Sequence, residues 1–392
     1  MQKSKIIFGG WYQRTTLHLT EIYDLFAFGK SDLPLDKSKL EELRRALDIA
    51  EITREAGYLE FIKVKTRSGI EVRYYEDGLY VLELKIDDIK QAKLNRKKLE
   101  DYFNNKLSPA TSYIFSLGAP TPKILANIKS VHPTAITILD DSLSKIQVDT
   151  ENFGNIYSKI VAKNIAVYKT PEYILIAAET KLENIATELV EMQIFFREFK
   201  DQLQKYLNIH RNLWEEISKI KEQKEVKGTQ VEIVRSKLDS YQKTISLISN
   251  RINQMGTYAR TRASISKSLK IEEHLVKLFE LKFEVLSDTL EYIKEIWKMT
   301  MDYLISAIQN VVEIKNQSTS RGIQSLQLIT SIGVVSTIIG YLSKNELPKL
   351  TAKGTVYFAL IIFVTWLVNY LVTKIYRNKK YRIKFGERSS NI

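Results

Sequence analysis

The spacing of apolar and polar positions divides the chain into three regions. Up to about residue 180, short runs of alternating or β-branched residues are separated by turn signals such as Arg-Ser-Gly and Glu-Asp-Gly. Three of these runs predict an antiparallel meander: Leu59–Thr66, Ile70–Tyr75 and Leu79–Lys85. Further strands are predicted at "TSYIFSL", "TAITILD", "NIAVYK" and "YILIAA", and a helix at Leu40, Leu43, Leu47 and Ala50. We therefore predict that residues 1–180 form a cytosolic α/β domain with a mixed sheet.

From residue 181 onward, apolar and charged residues recur at helical period. The pattern predicts long helices with breaks near Gly228 and Gly256. We place these helices at about 181–226, 229–255 and 262–342. We therefore predict two helical domains. Residues 181–261 form paired long cytosolic helices, and residues 262–325 form a stalk helix.

The stalk carries an apolar seam at steps of three and four, which is typical of coiled coils. The seam consists of Leu286, Leu290, Ile293, Trp297, Met301, Leu304, Ile308 and Val311. A seam of this length favours several copies packed side by side. The alternative is that it packs against the other two long helices of the same chain.

Two runs without a charged residue follow the stalk, at 326–342 and 355–373. Their lengths predict two transmembrane helices joined by an outer loop at 343–354. A basic tail at 374–392 should stay in the cytoplasm. The expected location is the inner, cytoplasmic membrane, with the lipid bilayer as partner, multi-pass topology and both termini cytoplasmic.

A polar stripe continues the seam into the first of these runs. Hydroxyls and amides are costly to bury in lipid, so such a stripe is expected to face other helices or water. We predict that the following residues line a pore: Asn316, Ser320, Gln327, Thr330, Val334, Thr337 and Tyr341. The alternative is that they only join helices to one another.

The chain has a net charge of +13 and no cysteine. The absence of cysteine excludes disulfides, thiolate metal sites and cysteine nucleophiles. The basic surplus suits an anionic partner. No nucleic-acid recognition motif accompanies it, so no nucleic acid is expected. No P-loop, nucleophile elbow or paired-histidine metal motif occurs either, and we predict that the protein is not an enzyme.

An acid-free stretch between Ser240 and Ile271 contains six cations and predicts an anionic ligand. Its candidate residues are Arg251, Arg260, Arg262, Lys267 and Lys270. A solvated basic face is the alternative. Two weaker candidates are a helix start with Thr121 and Lys123, which could hold a phosphate, and Trp11 with Arg14, which could stack a base.

The order of these parts resembles the CorA-type divalent-cation channels, and "NELPKL" is similar to the outer loop of that family. The resemblance implies a homopentamer in which the first span lines the pore. The Gly-Met-Asn triplet of the family is missing, since the corresponding place contains "GYLSKNE". Some CorA-like proteins without the triplet accompany type III CRISPR systems and are thought to be membrane effectors that respond to a nucleotide second messenger.

Three functions therefore remain open. The first is a CorA-like ion channel gated by its cytosolic domain, although the missing triplet and a lysine-rich outer loop speak against magnesium selectivity. The second is a nucleotide-gated membrane effector of a type III CRISPR antiviral system. The third is a non-conducting membrane tether. The corresponding ligands are Mg²⁺ or an adenine-nucleotide-type molecule.

Overall fold

A computed structural model of the 392-residue chain describes its fold at residues 3–12, 18–86, 88–118, 134–140, 148–162, 164–222, 225–342, 352–378 and 380–382. The chain divides into two compact units. The first, here called the sheet unit, comprises Met1–Ile209 and Leu247–Glu295. The second, the helical unit, comprises His210–Ser246 and Ile296–Ile392.

The sheet unit is built on nine strands in the order β2-β3-β4-β5-β1-β6-β9-β8-β7. Their bounds are β1 Lys3–Trp11, β2 Ile49–Glu55, β3 Phe61–Thr66, β4 Glu71–Tyr75, β5 Leu79–Ile86, β6 Thr134–Leu139, β7 Ser158–Ala162, β8 Ile165–Lys169 and β9 Tyr173–Ala178. β6 and β9 pair in parallel, whereas the other described pairs are antiparallel. The predicted mixed sheet and its β3–β4–β5 meander are therefore confirmed.

The predicted strand "TSYIFSL" is wrong, because these residues lie in a helix. Short apolar runs fit either element, and here a helix continues through a π-helical turn at Phe103–Leu107. β1 was not predicted at all. The smaller helices of this unit are α1 Leu19–Phe28, α2 Lys37–Ala46, α3 Ala92–Tyr102, α4 Ser108–Gly118 and α5 Thr150–Phe153.

The two faces of the meander differ in chemistry, because successive strand residues point to opposite sides. Ile62, Val64, Val72 and Tyr74 face a core that these smaller helices share. The alternate positions on the other face include Lys63, Glu71, Arg73 and Glu83. One face of the meander thus packs into an ordinary apolar core. The other face carries charged side chains, which need ion-pair or hydrogen-bond partners.

The long helices differ from their predicted bounds, and the single helix predicted over 262–342, which includes the stalk at 262–325, is divided into separate helices. They are α6 Glu183–Lys221, α7 Gly228–Ser268, α8 Glu272–Phe279, α9 Phe283–Leu342 and α10 Ala352–Asn378. The break at Gly228 is confirmed, but α7 continues through Gly256. A Cβ at Gly256 would lie 3.5 Å from a Leu290 methyl group, which is an ordinary van der Waals distance, so this position in the interior of α7 would also accept a side chain.

The apolar seam of α9 is already filled within one chain. Leu286, Leu290, Ile293, Trp297, Leu304 and Val311 are buried in the single chain. In the sheet unit the Phe283 ring contacts Phe196 of α6 with centroids 4.5 Å apart. In the helical unit Tyr303 stacks on Trp214 at 4.4 Å. The alternative of packing against the other long helices of the same chain therefore describes these six positions, whereas Met301 and Ile308 are half-buried.

Among the described residues, none of the helices combines the length and the apolar character needed to cross a membrane. This finding contradicts the predicted transmembrane helices at 326–342 and 355–373, and with them the multi-pass membrane location. The prediction rested on the absence of charged residues from these two runs. A run without charges can still contain uncharged polar residues, which lower its mean hydropathy. The first run contains Gln327 and several hydroxyls, and the second contains Thr365 and Asn369.

The first residues of the basic tail predicted at 374–392 belong to regular elements. α10 runs to Asn378, and β11 Lys380–Arg382 then pairs antiparallel with β10 Glu225–Lys227 in the helical unit. α10 also exposes large apolar side chains, including Leu360, Phe363 and Trp366. Exposed apolar patches mark contact surfaces.

The β4–β5 turn provides a test of local geometry. Gly78 has φ +87°, and an added Cβ would collide with the Tyr12 carbonyl oxygen. Gly69 has a similar φ of +83° but meets nothing closer than 3.9 Å. We expect Gly78→Ala to lower the free energy of unfolding by about 3 kcal/mol or more, and Gly69→Ala by about 1 kcal/mol, in urea titrations. Equal losses would contradict the close approach at Gly78.

Candidate functional site

A buried ion pair joins the end of α7 to the β4–β5 turn in the sheet unit. Arg262 Nε donates to Asp77 Oδ2 at 2.7 Å, and Arg262 Nη2 donates to Asp77 Oδ1 at 3.0 Å. Both side chains are only 2% exposed. This bidentate geometry is the strong form of an arginine–carboxylate contact, and it fixes both partners in orientation.

Aromatic rings surround this ion pair. The guanidinium carbon of Arg262 lies 5.0 Å from the Tyr75 ring centroid and 5.6 Å from that of Phe195. Trp11 Nε1 donates to the Asp77 carbonyl oxygen at 2.7 Å. Burial opposes the charge of Arg262, but Asp77 more than offsets this effect and raises the pKa of Arg262 above its ordinary value.

A second network lies beside the first one on the charged face of the sheet. Arg73 Nη2 lies 3.1 Å from Glu191 Oε1 and 3.4 Å from Glu83 Oε2. Tyr75 Oη donates to Glu191 Oε1 at 2.9 Å. Burial opposes the charge on Arg73, but Glu191 and the other carboxylates hold its pKa above the usual value. Paired charges of this kind can be buried at a tolerable cost.

The network extends across the sheet to β1 and β3. Lys5 Nζ lies 2.9 Å from Glu83 Oε1 and 3.1 Å from Glu183 Oε1 of α6. Lys63 Nζ lies 3.2 Å from Glu71 Oε1. These cations are therefore already neutralised by protein carboxylates.

Two adjoining clefts lie between this charged face and the helices α6 and α7. The larger has a volume of about 500 Å³ and extends to Lys85, and the smaller, about 240 Å³, extends to Tyr58 and Phe61. Both clefts are lined by Lys63, Arg73, Thr187 and Glu188. We call the two together the groove. Its combined size is within the range of small-molecule sites.

Glu188 is the unusual side chain of the groove. Within the described part of the chain it makes no hydrogen bond and no ion pair, although it is half-buried. Burial and the nearby Glu191 carboxylate raise the pKa of Glu188 to about 7. Perturbed acids in clefts are frequent at functional sites.

The predicted basic cluster does not form one site. Arg262 is committed to Asp77, and Arg251 is also buried. Arg260, Lys267 and Lys270 are exposed. A sequence stretch rich in cations gives no information on which helical face each one occupies, and the five divide between interior and surface.

Of the remaining ligand candidates, the structure describes Trp11. Trp11 is buried and stacks on Phe199 with centroids 5.6 Å apart, so its ring is not free to stack a base. Arg14, Thr121 and Lys123 lie outside the described residues.

The predicted polar stripe is exposed in the single chain at Asn316, Ser320, Gln327, Thr330 and Val334. The hydroxyl of Thr330 donates to the Leu326 carbonyl at 2.6 Å within its own helix. Such local bonds satisfy a hydroxyl without any neighbour. The side chains of Thr337 and Tyr341 lie outside the described part.

No group of three or more metal-ligating side chains is present in the part of the chain that the structure describes. Sequence reasoning missed the groove residues Lys85, Glu188 and Tyr58. The alternation of Glu71 and Arg73 along β4 was a visible signal of a charged face. The register that aligns these residues with Lys63 and Glu83 was not visible.

Comparison with known proteins yields no relative: no family model matches the chain, and no curated protein matches it. The CorA resemblance therefore stays a prediction.

Because the Arg262–Asp77 pair is buried, replacing Arg262 by Met should lower the unfolding free energy far more than replacing an exposed, paired arginine by Met. Removing one partner of a buried pair strands the other charge, so we expect Arg262→Met to cost about 3–5 kcal/mol of unfolding free energy. Arg54 pairs with Glu60 through similar bonds, but both side chains are 36% exposed. Arg54→Met should cost less than about 1 kcal/mol in the same urea titration. A loss for Arg262→Met no larger than that of Arg54→Met would contradict the anchoring role.

Proposed function

We propose that the chain is a self-assembling regulatory protein. In this proposal the sheet unit binds an anionic small-molecule ligand, and the long helices provide contacts between copies. The observation that carries the proposal is a pair of complementary charged faces on α7 and α9, both within the sheet unit.

One face of α9 is acidic. Steps of four, three and four residues place four exposed acids on the same side of the helix, namely Glu284, Asp288, Glu291 and Glu295. Val285 and Tyr292 flank these acids and are 53% and 60% exposed. Of the four acids, Glu291 has a described ion pair, with Lys294 at 2.6 Å. The face thus combines unneutralised charge with exposed apolar area.

The exposed face of α7 has the opposite sign. Between Ser240 and Ile271 the chain has no acid, and Arg260 and Lys267 are exposed. They lie seven residues apart, which is about 10.5 Å along a helix. Glu284 and Glu291 have the same separation, so two cations on α7 can meet two acids on α9 in register.

The two faces differ from each other, so a contact between them joins unlike surfaces of two copies. Such head-to-tail contacts close into rings when the rotation allows it. This supports the homo-oligomer predicted from the sequence, while the number of five subunits rests on the resemblance alone.

The predicted ion channel and membrane tether require membrane-spanning helices, and they are not part of this proposal. The nucleotide-responsive effector shares one element with it, which is a ligand that acts through the sheet unit. The antiviral role stays a prediction from the resemblance.

The self-assembly proposal is tested by charge reversal followed by charge exchange. We expect Glu284→Lys with Glu291→Lys, and separately Arg260→Glu with Lys267→Glu, to weaken self-association at least about tenfold in sedimentation velocity. Combining all four substitutions should restore association, because the two faces are again opposite in sign. Association should also weaken when the salt is raised from about 0.05 M to 0.5 M.

The control reverses two exposed acids elsewhere, Glu41→Lys with Glu42→Lys on α2. This variant has the same change in net charge and should assemble as the wild type does. A monomeric wild-type chain, or assembly insensitive to both reversals, would refute the proposed contact.

A further inference from the structure

The groove has an accessible cation at one end. Lys85 is exposed, and within the described residues it forms no ion pair and no hydrogen bond. The other lysines of the larger cleft differ, since Lys5 lies against two carboxylates and Lys63 against one. A negatively charged group entering the larger cleft would therefore find its free partner at Lys85.

The opposite end of the groove is aromatic. Tyr58 is 61% exposed and lines the smaller cleft together with Phe61. Phe61 is held in place by the Tyr75 ring, with centroids 5.1 Å apart. An exposed tyrosine beside a fixed aromatic pair provides a surface on which a planar ring can stack.

The strand register gives the distance between these ends. Phe61 of β3 pairs with Tyr75 of β4, and Glu71, four residues earlier on β4, pairs with Glu83 of β5. Lys85 lies two residues beyond Glu83, which places it six positions from Phe61 along the strands. Six positions correspond to about 20 Å. Both Lys85 and Tyr58 are long side chains that can reach inward and shorten the gap.

Glu188 lies in the part of the groove that both clefts share. The groups that face it are Glu191 on its own helix, Arg73 and Lys63 on the sheet, and Arg262 on α7. A carboxyl group in this position can accept a hydrogen bond when ionised and donate one when protonated. An anionic ligand beside it would favour the protonated form.

We propose that the groove binds an elongated small molecule with a negative charge at one end, held by Lys85, and an aromatic ring at the other, stacked on Tyr58. Glu188 contacts the middle of this molecule and takes up a proton when the ligand binds. The inference rests on the ligand-binding half of the proposed function and is independent of self-assembly. Among the ligand residues predicted from the sequence that the structure describes, the buried Arg262 is the one that lines this groove.

The test uses the full chain and ATP as an elongated aromatic anion, with binding measured by equilibrium dialysis. Adenosine has the ring without the charge, and tripolyphosphate has the charge without the ring. We expect ATP to bind at least about tenfold more tightly than either of them. Lys85→Glu and Tyr58→Ala should each weaken ATP binding about tenfold or more, which corresponds to about 1.4 kcal/mol. Matched controls are Lys30→Glu and Tyr157→Ala, which change exposed residues outside the groove.

The pH dependence tests the middle of the groove. Because an anion raises the proton affinity of Glu188, the ratio of the ATP affinity of the wild type to that of Glu188→Gln should fall as the pH rises from about 6 to 8. The ratio cancels the ionisation of the terminal phosphate of ATP, which occurs in the same range. A ratio that rises over this range would overturn the placement of the charged end.

Two other outcomes would also overturn the proposal. One is no ATP binding up to about 5 mM, or binding no tighter than that of tripolyphosphate. The other is ATP binding that Lys85→Glu and Tyr58→Ala leave unchanged. In that case ATP binds elsewhere on the chain, so the groove proposal fails while the ligand-binding part of the proposed function stands. Assembly-defective variants of the α9 face should bind ATP normally, which separates this inference from self-assembly.

Discussion

The contact between Arg262 and Asp77 is the constraint on which the sheet unit depends most. It joins two parts of the chain 185 residues apart in sequence and excludes water from both charges. A buried pair needs good geometry to offset the loss of water, and the two hydrogen bonds between Arg262 and Asp77 provide it. The rings of Tyr75 and Phe195 lie against the guanidinium, and Trp11 donates to the Asp77 backbone carbonyl. The end of α7 is thereby held against the sheet.

The groove follows from this anchoring. The charged face of the meander could not be covered by an apolar helix, so α6 covers it with Glu183 and Glu191, which pair with Lys5 and Arg73. These pairs satisfy most of the charges, and the groove lies between the helices and the strands. Glu188 lies in that space with an altered pKa and without a described partner. The charged face of the sheet, whose side chains need ionic partners, can thus also bind a charged ligand.

How far the sequence predicts this structure depends on the range of the interaction. Local patterns predicted the β3–β4–β5 meander and the break at Gly228, because alternation and glycine act within a few residues. They failed at Gly256, because a single glycine inside a helix costs only about 1 kcal/mol and the helix continues through it. The partner of Arg262 could not be predicted from local patterns either, because Asp77 is brought near it only by the tertiary fold. The apolar seam was correctly recognised, but its partner helices could not be chosen from spacing alone.

The most direct measurement of the anchoring role is hydrogen–deuterium exchange of the Arg262→Met variant against the wild type, read peptide by peptide. If the ion pair holds α7 to the sheet, exchange should accelerate in the β4–β5 turn around Asp77 and in the last turns of α7. The far strands β8 and β9 should be unchanged, because local openings follow cooperative units. Acceleration spread evenly over the sheet unit, or none at the turn, would contradict the central role of this contact.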